Sequence, residues 1–246
     1  LPEIPEWSEM TKLKFEKEVA GYYISGHPLN RYSVEIEQFS NAGMHQIDEV
    51  IKDLHRFVGR SFKFAGLVAS TEHRQTKYGK DFGVMVLTDK EGSVRLSLFG
   101  ETYMKFRHLL VENTPVFVLG TVTQRGFGDS VNYELTITDM FLLDDLLDKF
   151  TRHIKLEVEI ADVSSDLIKG LKSLIAKHRV ERKVSGSVTK ATSGTKAASD
   201  ITFVVKDTSV GLSSTMPSKD TVSPSLFIHS LQQEEWAEVL EIKLSQ

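Results

Sequence analysis

The sequence contains no cysteine. The chain therefore cannot form disulfides, ligate zinc or iron–sulfur clusters through thiolates, or use a thiol nucleophile. The absence suits a reducing compartment, and we expect a cytoplasmic protein. No apolar run approaches the roughly 18 residues of a membrane span, and the first residues do not resemble a signal peptide. We therefore expect no membrane contact.

The sequence also lacks the common enzyme signatures. It has no phosphate-binding loop, since the segment SGTK at 193–196 has no glycine at the required upstream spacing. It has no HExxH motif and no Asp-x-Asp pair. Two-metal nucleotidyl transfer needs several carboxylates that converge on a pair of cations. We therefore expect no catalytic residue, no metal site and no cofactor in this sequence.

The remaining acidic residues have simpler explanations. Asp144, Asp145 and Asp148 cluster where a helix begins, and negative charge is favourable near a helix N-terminus. Glu157 and Glu159 alternate with apolar residues, which predicts the solvent-facing side of a strand. The eight histidines are scattered without the spacing of metal ligands.

The composition is that of a globular protein with a slight excess of acid. Hydrophobic residues make up 40% of the chain, charged residues 26%, and the formal net charge is −4. This balance excludes a uniformly basic nucleic-acid coat protein. It leaves room for a local basic groove on a neutral body.

The N-terminal part, residues 1–58, is predicted to be a helical linker or collar. Apolar residues at helical spacing indicate three helices, near 8–23, 29–39 and 46–56. Between the first two lies the segment SGHPL, where Gly26 and Pro28 interrupt the helical pattern. We interpret His27 as a corner residue with its ring capping or packing locally, because no acidic or nucleophilic residue accompanies it at a useful spacing.

Residues 59–146 alternate like strands, in the order strand, strand, strand, helix, strand, strand. The first strand is long and carries a glycine at position 66, which often marks a bulge or a bend. The polar turn QTKYGK and the tight turn DKEG separate the first three strands. A helix between the third and fourth strands is what a five-stranded OB barrel requires.

Residues 147–246 are predicted to form a small α/β domain. KLEVEI and ITFVVKD indicate strands, SSDLIKGLKSLIAKH indicates an amphipathic helix, and SLFIHSLQQEEWAEVLEI indicates a second helix. The polar, small-residue-rich segment 184–200 is predicted to be a mobile loop. The predicted fold class is thus mixed α+β, with a helical linker, an OB barrel and a small C-terminal α/β domain.

The barrel offers a candidate surface for single-stranded DNA. In OB folds the ligand lies across strands 2 and 3, bordered by the first and last hairpin loops. Cations there can follow phosphates, aromatic rings can stack on bases, and the non-core side of strand 3 faces the groove. The candidate binding residues are Arg74, Lys77, Tyr78, Lys80, Arg95, Ser97, Phe99, Arg125 and Phe127.

Several segments together resemble one family. EKEVAGYYISGHPLNRY is similar to the segment that leads into the OB domain of the bacterial DNA polymerase III alpha subunit. The signature residues are Ser25, Gly26, His27, Pro28 and Leu29. The strand-1 glycine, the T-K-x-G-K turn and Phe99 before a tyrosine-bearing helix continue the resemblance. It extends more weakly into the C-terminal part, while Gly83 and Met85 depart from the usual pattern.

The resemblance implies a C-terminal piece of a much longer polymerase. Its catalytic carboxylates, its Mg²⁺ and its main sliding-clamp motif are then expected upstream of Leu1. The family implies two partners for the present sequence, single-stranded template DNA at the OB domain and the clamp-loader tau subunit at the C-terminal domain. No tau-contact residue can be carried across, because the 184–200 loop has no family pattern.

Two alternatives remain. The OB domain could be a protein-interaction module that does not touch DNA. The chain could also be an independent OB-containing enzyme such as a synthetase, although it lacks nucleotide and metal motifs.

Overall fold

The computed structural model describes residues 26–126, 131–180 and 197–245, together with residues 12, 15, 16, 18 and 19. The chain divides into two compact units, a first unit of Leu1–Leu143 and a second unit of Asp144–Gln246. Ser25 of the signature, Phe127 of the candidate site and residues 181–196 of the polar segment lie outside the described residues.

The N-terminal part of the first unit is helical. The described residues among 12–19 are helical. A 3₁₀ helix, Pro28–Tyr32, leads directly into α1, Ser33–Phe39, and after a break α2 spans Met44–Lys52 with a further 3₁₀ helix at Leu54–Phe57. The predicted second and third helices are thus both partly 3₁₀.

His27 caps the first of these turns. Its backbone is extended, and its Nδ1 atom accepts a hydrogen bond from the backbone N–H of Leu29 at 3.2 Å. Pro28 follows at the first helical position, where its fixed φ fits and its missing N–H has no intrahelical partner to lose. The local sequence therefore provides both the cap and the first residue of the helix.

The rest of the first unit is a five-stranded antiparallel sheet. The strands are β1 Ser61–Gln75, β2 Asp81–Thr88, β3 Ser93–Phe99, β4 Pro115–Arg125 and β5 Asn132–Leu142. Helix α3, Gly100–Phe106, lies between β3 and β4 and continues as a 3₁₀ turn, Arg107–Leu109. The spatial order is β3-β2-β1-β4-β5, so the predicted fold class is confirmed.

Gly66 does not mark the bulge of β1, which lies instead between Val68 and Ser70. A Cβ atom at position 66 would lie 2.3 Å from the methyl group of Met44 and 3.1 Å from Leu87. The glycine is needed because α2 packs its first residue directly onto the strand. Met44 is fully buried there and belongs to the core of the unit.

The turn between β2 and β3 also fixes the start of α2. One carboxylate oxygen of Asp89 accepts hydrogen bonds from the backbone N–H groups of Glu91 at 2.8 Å and Gly92 at 2.9 Å. The other accepts from the N–H of Met44 at 2.9 Å. One side chain thus stabilises the predicted DKEG turn and the helix that covers it.

The second unit contains a four-stranded sheet in the order β8-β7-β6-β9. The strands are β6 His153–Glu159, β7 Ser199–Asp207, β8 Leu212–Val222 and β9 Glu241–Ser245. Its helices are α4 Leu146–Phe150, α5 Ser165–His178 and α6 Pro224–Leu231. Two 3₁₀ turns lie at Ile160–Asp162 and Glu235–Ala237, and a third, Leu143–Asp145, precedes α4. Strands β6 and β7 are parallel, and α5 begins the connection between them.

Strand β8 passes through Pro217, which an edge strand tolerates because a proline there need not donate to a ladder. Two predictions for this unit are wrong in detail. The helix proposed after residue 225 ends at Leu231, and Glu241–Ser245 instead pairs antiparallel with β6. The last residues of the predicted 184–200 loop, Ser199 and Asp200, already belong to β7.

Candidate nucleic-acid interface

The non-core side of β1, β2 and β3 forms one continuous surface. Cross-strand pairing places Arg74, Phe82 and Phe99 in one row, and Glu72, Val84 and Ser97 in the next. Arg95 lies opposite Val86 in the third row. We call this surface the outer face; its residues are Glu72, Arg74, Phe82, Val84, Val86, Arg95, Ser97 and Phe99. Arg95 and Ser97 therefore lie on the side that the alternation of β3 predicts.

Two phenylalanines form an aromatic step on the outer face. The rings of Phe82 and Phe99 are stacked, with centroids 5.1 Å apart and planes inclined by 20°. Phe99 is 55% exposed, so one side of its ring is open to a ligand. An exposed, supported ring of this kind offers a stacking surface for a nucleobase.

The β1–β2 hairpin presents the predicted cations and tyrosine. Two hydrogen bonds between Thr76 and Lys80 close the turn. The backbone N–H of Thr76 donates to the carbonyl of Lys80 at 2.8 Å, and the backbone N–H of Lys80 donates to the Thr76 hydroxyl at 3.1 Å. Gly79 supplies the positive φ of 74° that the turn requires. Tyr78 is 78% exposed, and the Lys77 ammonium lies 5.1 Å from the centroid of its ring.

Both arginines of the outer face are held by one carboxylate. Glu72 forms an ion pair with Arg74, its neighbour along β1, and lies 3.9 Å from a guanidinium nitrogen of Arg95 on β3. The two arginines were predicted from the sequence, but Glu72 was not. A phosphate that binds here competes with this carboxylate for the guanidinium groups.

Arg125 has a similar partner at the other hairpin. Its Nε atom forms an ion pair with Oε1 of Glu134 at 2.7 Å. The same oxygen accepts from the Thr136 hydroxyl at 3.0 Å, and that hydroxyl lies 2.7 Å from the hydroxyl of Thr123. The side chains of Arg125 and Glu134 line a cavity of about 380 Å³ that Phe99 also borders.

The structure thus brings most of the predicted residues to one end of the barrel. Arg74 and Phe99 lie in one cross-strand row with Phe82, and Phe99 and Arg125 border one cavity. Phe82, Glu72 and Glu134 also belong to this region and were not predicted from the sequence. Phe82 could have been found, because it shares the non-core side with its cross-strand partner Phe99.

The second unit buries the carboxylate of Glu157, which was predicted to face solvent. Glu157 is only 3% exposed and forms ion pairs with Lys155 at 2.6 Å, Lys243 at 2.7 Å and Lys206. Hydrogen bonds from Lys155 first, then from Lys206 and Lys243, hold the pKa of the Glu157 carboxyl well below its usual range, against the opposing effect of burial. The prediction was wrong because three long lysine side chains cover the carboxylate.

The second unit also has an apolar groove of about 530 Å³ between α5 and the sheet. Leu156, Leu171 and Phe203 line it, and Ile168 and Met216 border it with large exposed surfaces. Its polar lining residues are Lys172, Ser218, Arg179 and Asp220, of which the last two form an ion pair at 3.1 Å.

No group of three or more His, Asp or Glu side chains in the described part of the chain is placed to hold a metal ion. These residues therefore do not fit the Mg²⁺ that the resemblance implies for polymerase chemistry. Asp148, one of the clustered aspartates, accepts a hydrogen bond from the backbone N–H of Ser225 at 3.1 Å. None of the described helices is long and apolar enough to cross a membrane.

Comparison with known proteins identifies the family of the barrel. Residues 62–143 match the family described as "OB-fold nucleic acid binding domain". The first unit contains an OB fold. The chain is also 28% identical over 174 residues to the DNA polymerase III subunit alpha of Escherichia coli O157:H7, and 34% identical over 121 residues to that of Borreliella burgdorferi. The predicted resemblance to the DNA polymerase III alpha subunit is confirmed.

These matches cover a small part of the relatives. The E. coli alignment spans 70% of this chain and 14% of the relative, and the Borreliella alignment spans 48% and 10%. Among solved structures, the OB fold is similar to the mitochondrial single-stranded DNA binding protein Rim1 of S. cerevisiae. The identity is 14% and the TM-score 0.27, with 35% of this chain and 96% of that chain covered.

Proposed function

We propose that this chain is a non-catalytic binding portion of a bacterial replicative DNA polymerase, whose OB domain contacts single-stranded template DNA. The similarity to DNA polymerase III alpha subunits over 70% of the chain supports the replicative context. Magnesium-dependent nucleotidyl transfer and the sliding-clamp contact are proposed for the full-length polymerase, through residues outside this sequence.

The observation that carries the DNA proposal is the exposed Phe82–Phe99 step with cations close by. Arg74 lies in the same cross-strand row, and the adjoining β1–β2 hairpin carries Lys77 and Lys80. Stacking contributes about 1–3 kcal/mol per base, and cations that follow the phosphates add affinity that falls steeply with salt. This arrangement supports weak, salt-sensitive binding without a demand for one particular sequence.

The hairpin residues provide the first test. Fluorescence anisotropy of a labelled single-stranded oligonucleotide at low salt compares the native chain with the triple variant K77A/Y78A/K80A. We expect the triple variant to bind at least tenfold more weakly and to show a shallower salt dependence. The variant K169A/K172A removes two exposed lysines from α5 in the second unit and serves as the charge-matched control. Equal affinities of the native chain and the triple variant would show that these hairpin residues do not contact the DNA.

We propose further that the second unit docks to the clamp-loader tau subunit. The resemblance to DNA polymerase III alpha subunits implies this partner, and the apolar groove beside α5 offers a surface for the contact. Its exposed border residues, Ile168 and Met216, can bury apolar area against a partner. Full burial of one such side chain contributes about 1.5–3 kcal/mol.

Calorimetry with purified tau subunit tests this second part. We expect I168E and M216E each to weaken the complex about tenfold or more, because each places a charge in the groove. V210E alters an exposed apolar residue of the β7–β8 turn outside the groove and is the control. Native chain that does not bind tau would refute the docking proposal, and full binding by both groove variants would place the contact elsewhere.

One observation favours a second candidate, an OB domain that binds protein only. The arginines of the outer face and of the second hairpin all have carboxylate partners, Glu72 and Glu134, which reduces their availability to phosphates. Absence of oligonucleotide binding by the native chain at low salt, together with capture of tau, would favour this candidate over the DNA-binding one.

A further inference from the structure

The sheet of the OB domain ends at β3 on one side and β5 on the other, and a cavity lies between these two terminal strands. Its volume of about 380 Å³ lies within the range of small-molecule sites, about 300–1,000 Å³. Leu98, Leu135 and Ile137 contribute apolar lining, and Phe99 borders it. Most of the accessible lining is polar, and the exposed ring of Phe99 at its border suits a flat ligand whose edge carries hydrogen-bonding groups.

The charges of the cavity oppose phosphate binding. Two carboxylates, Glu101 and Glu134, and one guanidinium, Arg125, line it. Because Arg125 already forms an ion pair with Glu134, its charge is largely compensated and the cavity has a net negative charge. Such a site favours a neutral group that donates hydrogen bonds over an anionic one.

Glu134 is oriented by its neighbours. The Thr136 hydroxyl donates to Oε1 at 3.0 Å, and Arg125 Nε forms an ion pair with the same oxygen at 2.7 Å. Within the part of the chain that the structure describes, Oε2 has no hydrogen-bond partner. A hydrogen bond and an ion pair at one oxygen orient the carboxylate and leave the second oxygen available as an acceptor.

We infer that this cavity binds one base of the single strand, and that Glu134 Oε2 accepts a hydrogen bond from its exocyclic amino group. This inference rests on the proposed DNA binding. The ring of Phe99 provides the stacking surface at the entrance of the cavity, and the single-stranded DNA continues over the outer face toward Arg74. The cavity therefore gives an otherwise sequence-tolerant surface a preference at one nucleotide position.

The chemistry of the bases defines that preference. Cytosine, adenine and guanine carry an amino group, and carboxylates accept from cytosine N4 in known recognition patterns. Thymine has carbonyl oxygens on either side of a single N–H, and these oxygens repel a carboxylate. Cytosine and thymine have rings of the same size, so a comparison of the two isolates the amino group.

The test compares oligo(dC) and oligo(dT) of about ten nucleotides, the length range of one OB site, at low salt and mildly alkaline pH. We expect the native chain to bind oligo(dC) about fivefold more tightly than oligo(dT), the effect of one hydrogen bond at a partly exposed site. In E134Q, Arg125 and Thr136 require the amide oxygen at the Oε1 position. The amide nitrogen then replaces Oε2, so an acceptor becomes a donor, and we expect the preference to disappear or to invert toward oligo(dT).

The matched control is E112Q, which makes the same charge change in an exposed turn outside the cavity. We expect it to raise both affinities slightly and to leave their ratio unchanged. Equal binding of oligo(dC) and oligo(dT) by the native chain, or an unchanged ratio in E134Q, would overturn the inference and leave the proposed DNA binding intact. If the native chain binds neither oligonucleotide, the proposed DNA binding itself fails.

Discussion

Phe82 supports the ring of Phe99 from one side, with the two centroids 5.1 Å apart and the planes inclined by only 20°. The two residues are direct cross-strand neighbours, so the backbone of β2 and β3 determines the distance between them. Support on one side and exposure on the other is what a stacking platform requires, because the ring then need not be ordered on binding.

Removal of the exposed ring is expected to weaken DNA binding. F99A deletes the stacking surface, and we expect a loss of about tenfold in affinity for single-stranded oligonucleotide, within the range of about 1–3 kcal/mol for one stacked base. Anisotropy titration at low salt measures it. M104A removes an apolar side chain of equal exposure from α3 and is the control. An F99A variant that binds like the native chain would show that no base stacks there.

Release of the arginines is expected to strengthen DNA binding. E72Q removes the charge that pairs with Arg74 and Arg95, so we expect about threefold tighter binding at low salt and a steeper salt dependence. E91Q makes the same charge change in the β2–β3 turn and controls for net charge. If E72Q and E91Q have the same effect, the arginines do not contact phosphate.

The buried carboxylate of the second unit is expected to contribute strongly to stability. E157A leaves Lys155, Lys206 and Lys243 without their shared partner, and we expect a loss on the order of 3 kcal/mol in the free energy of unfolding. E241A removes an exposed carboxylate that pairs with Lys206 and Lys243, and we expect a loss of at most about 1 kcal/mol. Urea unfolding compares them. Equal losses would contradict the central position of Glu157.

The same group gives the second unit a pH dependence. The pKa of Glu157 is lower in the folded than in the unfolded state, so its stabilising contribution is present above its ordinary value of about 4.5. That contribution declines progressively as the pH falls below this value, toward the folded-state pKa. Thermal unfolding at a series of acidic pH values checks it. We expect E157Q to flatten the decline, and an unchanged slope would assign the acid sensitivity to other carboxyls.

Substitution of Gly83 in β2 is expected to destabilise the first unit. A Cβ atom at Gly83 would lie 2.5 Å from Leu110 and 2.9 Å from the ring of Tyr103. We therefore expect G83A to destabilise the first unit by about 1–3 kcal/mol through overpacking. G92A is the control, since the nearest atom there is 3.7 Å away. A G83A variant as stable as the native chain would show that α3 moves aside without cost.

Local patterns explain which parts of the fold could be predicted. The alternation in β3 places Arg95, Ser97 and Phe99 on one side whatever the strand pairs with. His27 and Pro28 provide the cap and the first residue of a helix, as the local sequence indicates. The end of the chain was mispredicted because SLFIHSL begins as a true helix, and the alternation of Glu241–Ser245 is too short to oppose that pattern on its own.

The sequence by itself determined the strand and helix order of the barrel, its turns and the side of each strand that bears the candidate residues. These features depend on backbone preferences and on neighbours a few residues apart. Only the tertiary structure decided how the charged and aromatic groups pair. Glu157 and Lys243 are 86 positions apart in the chain, yet their side chains are 2.7 Å apart. The pairing of Glu72 with Arg95 likewise depends on strand register, because burial and charge compensation arise from contacts that no short segment contains.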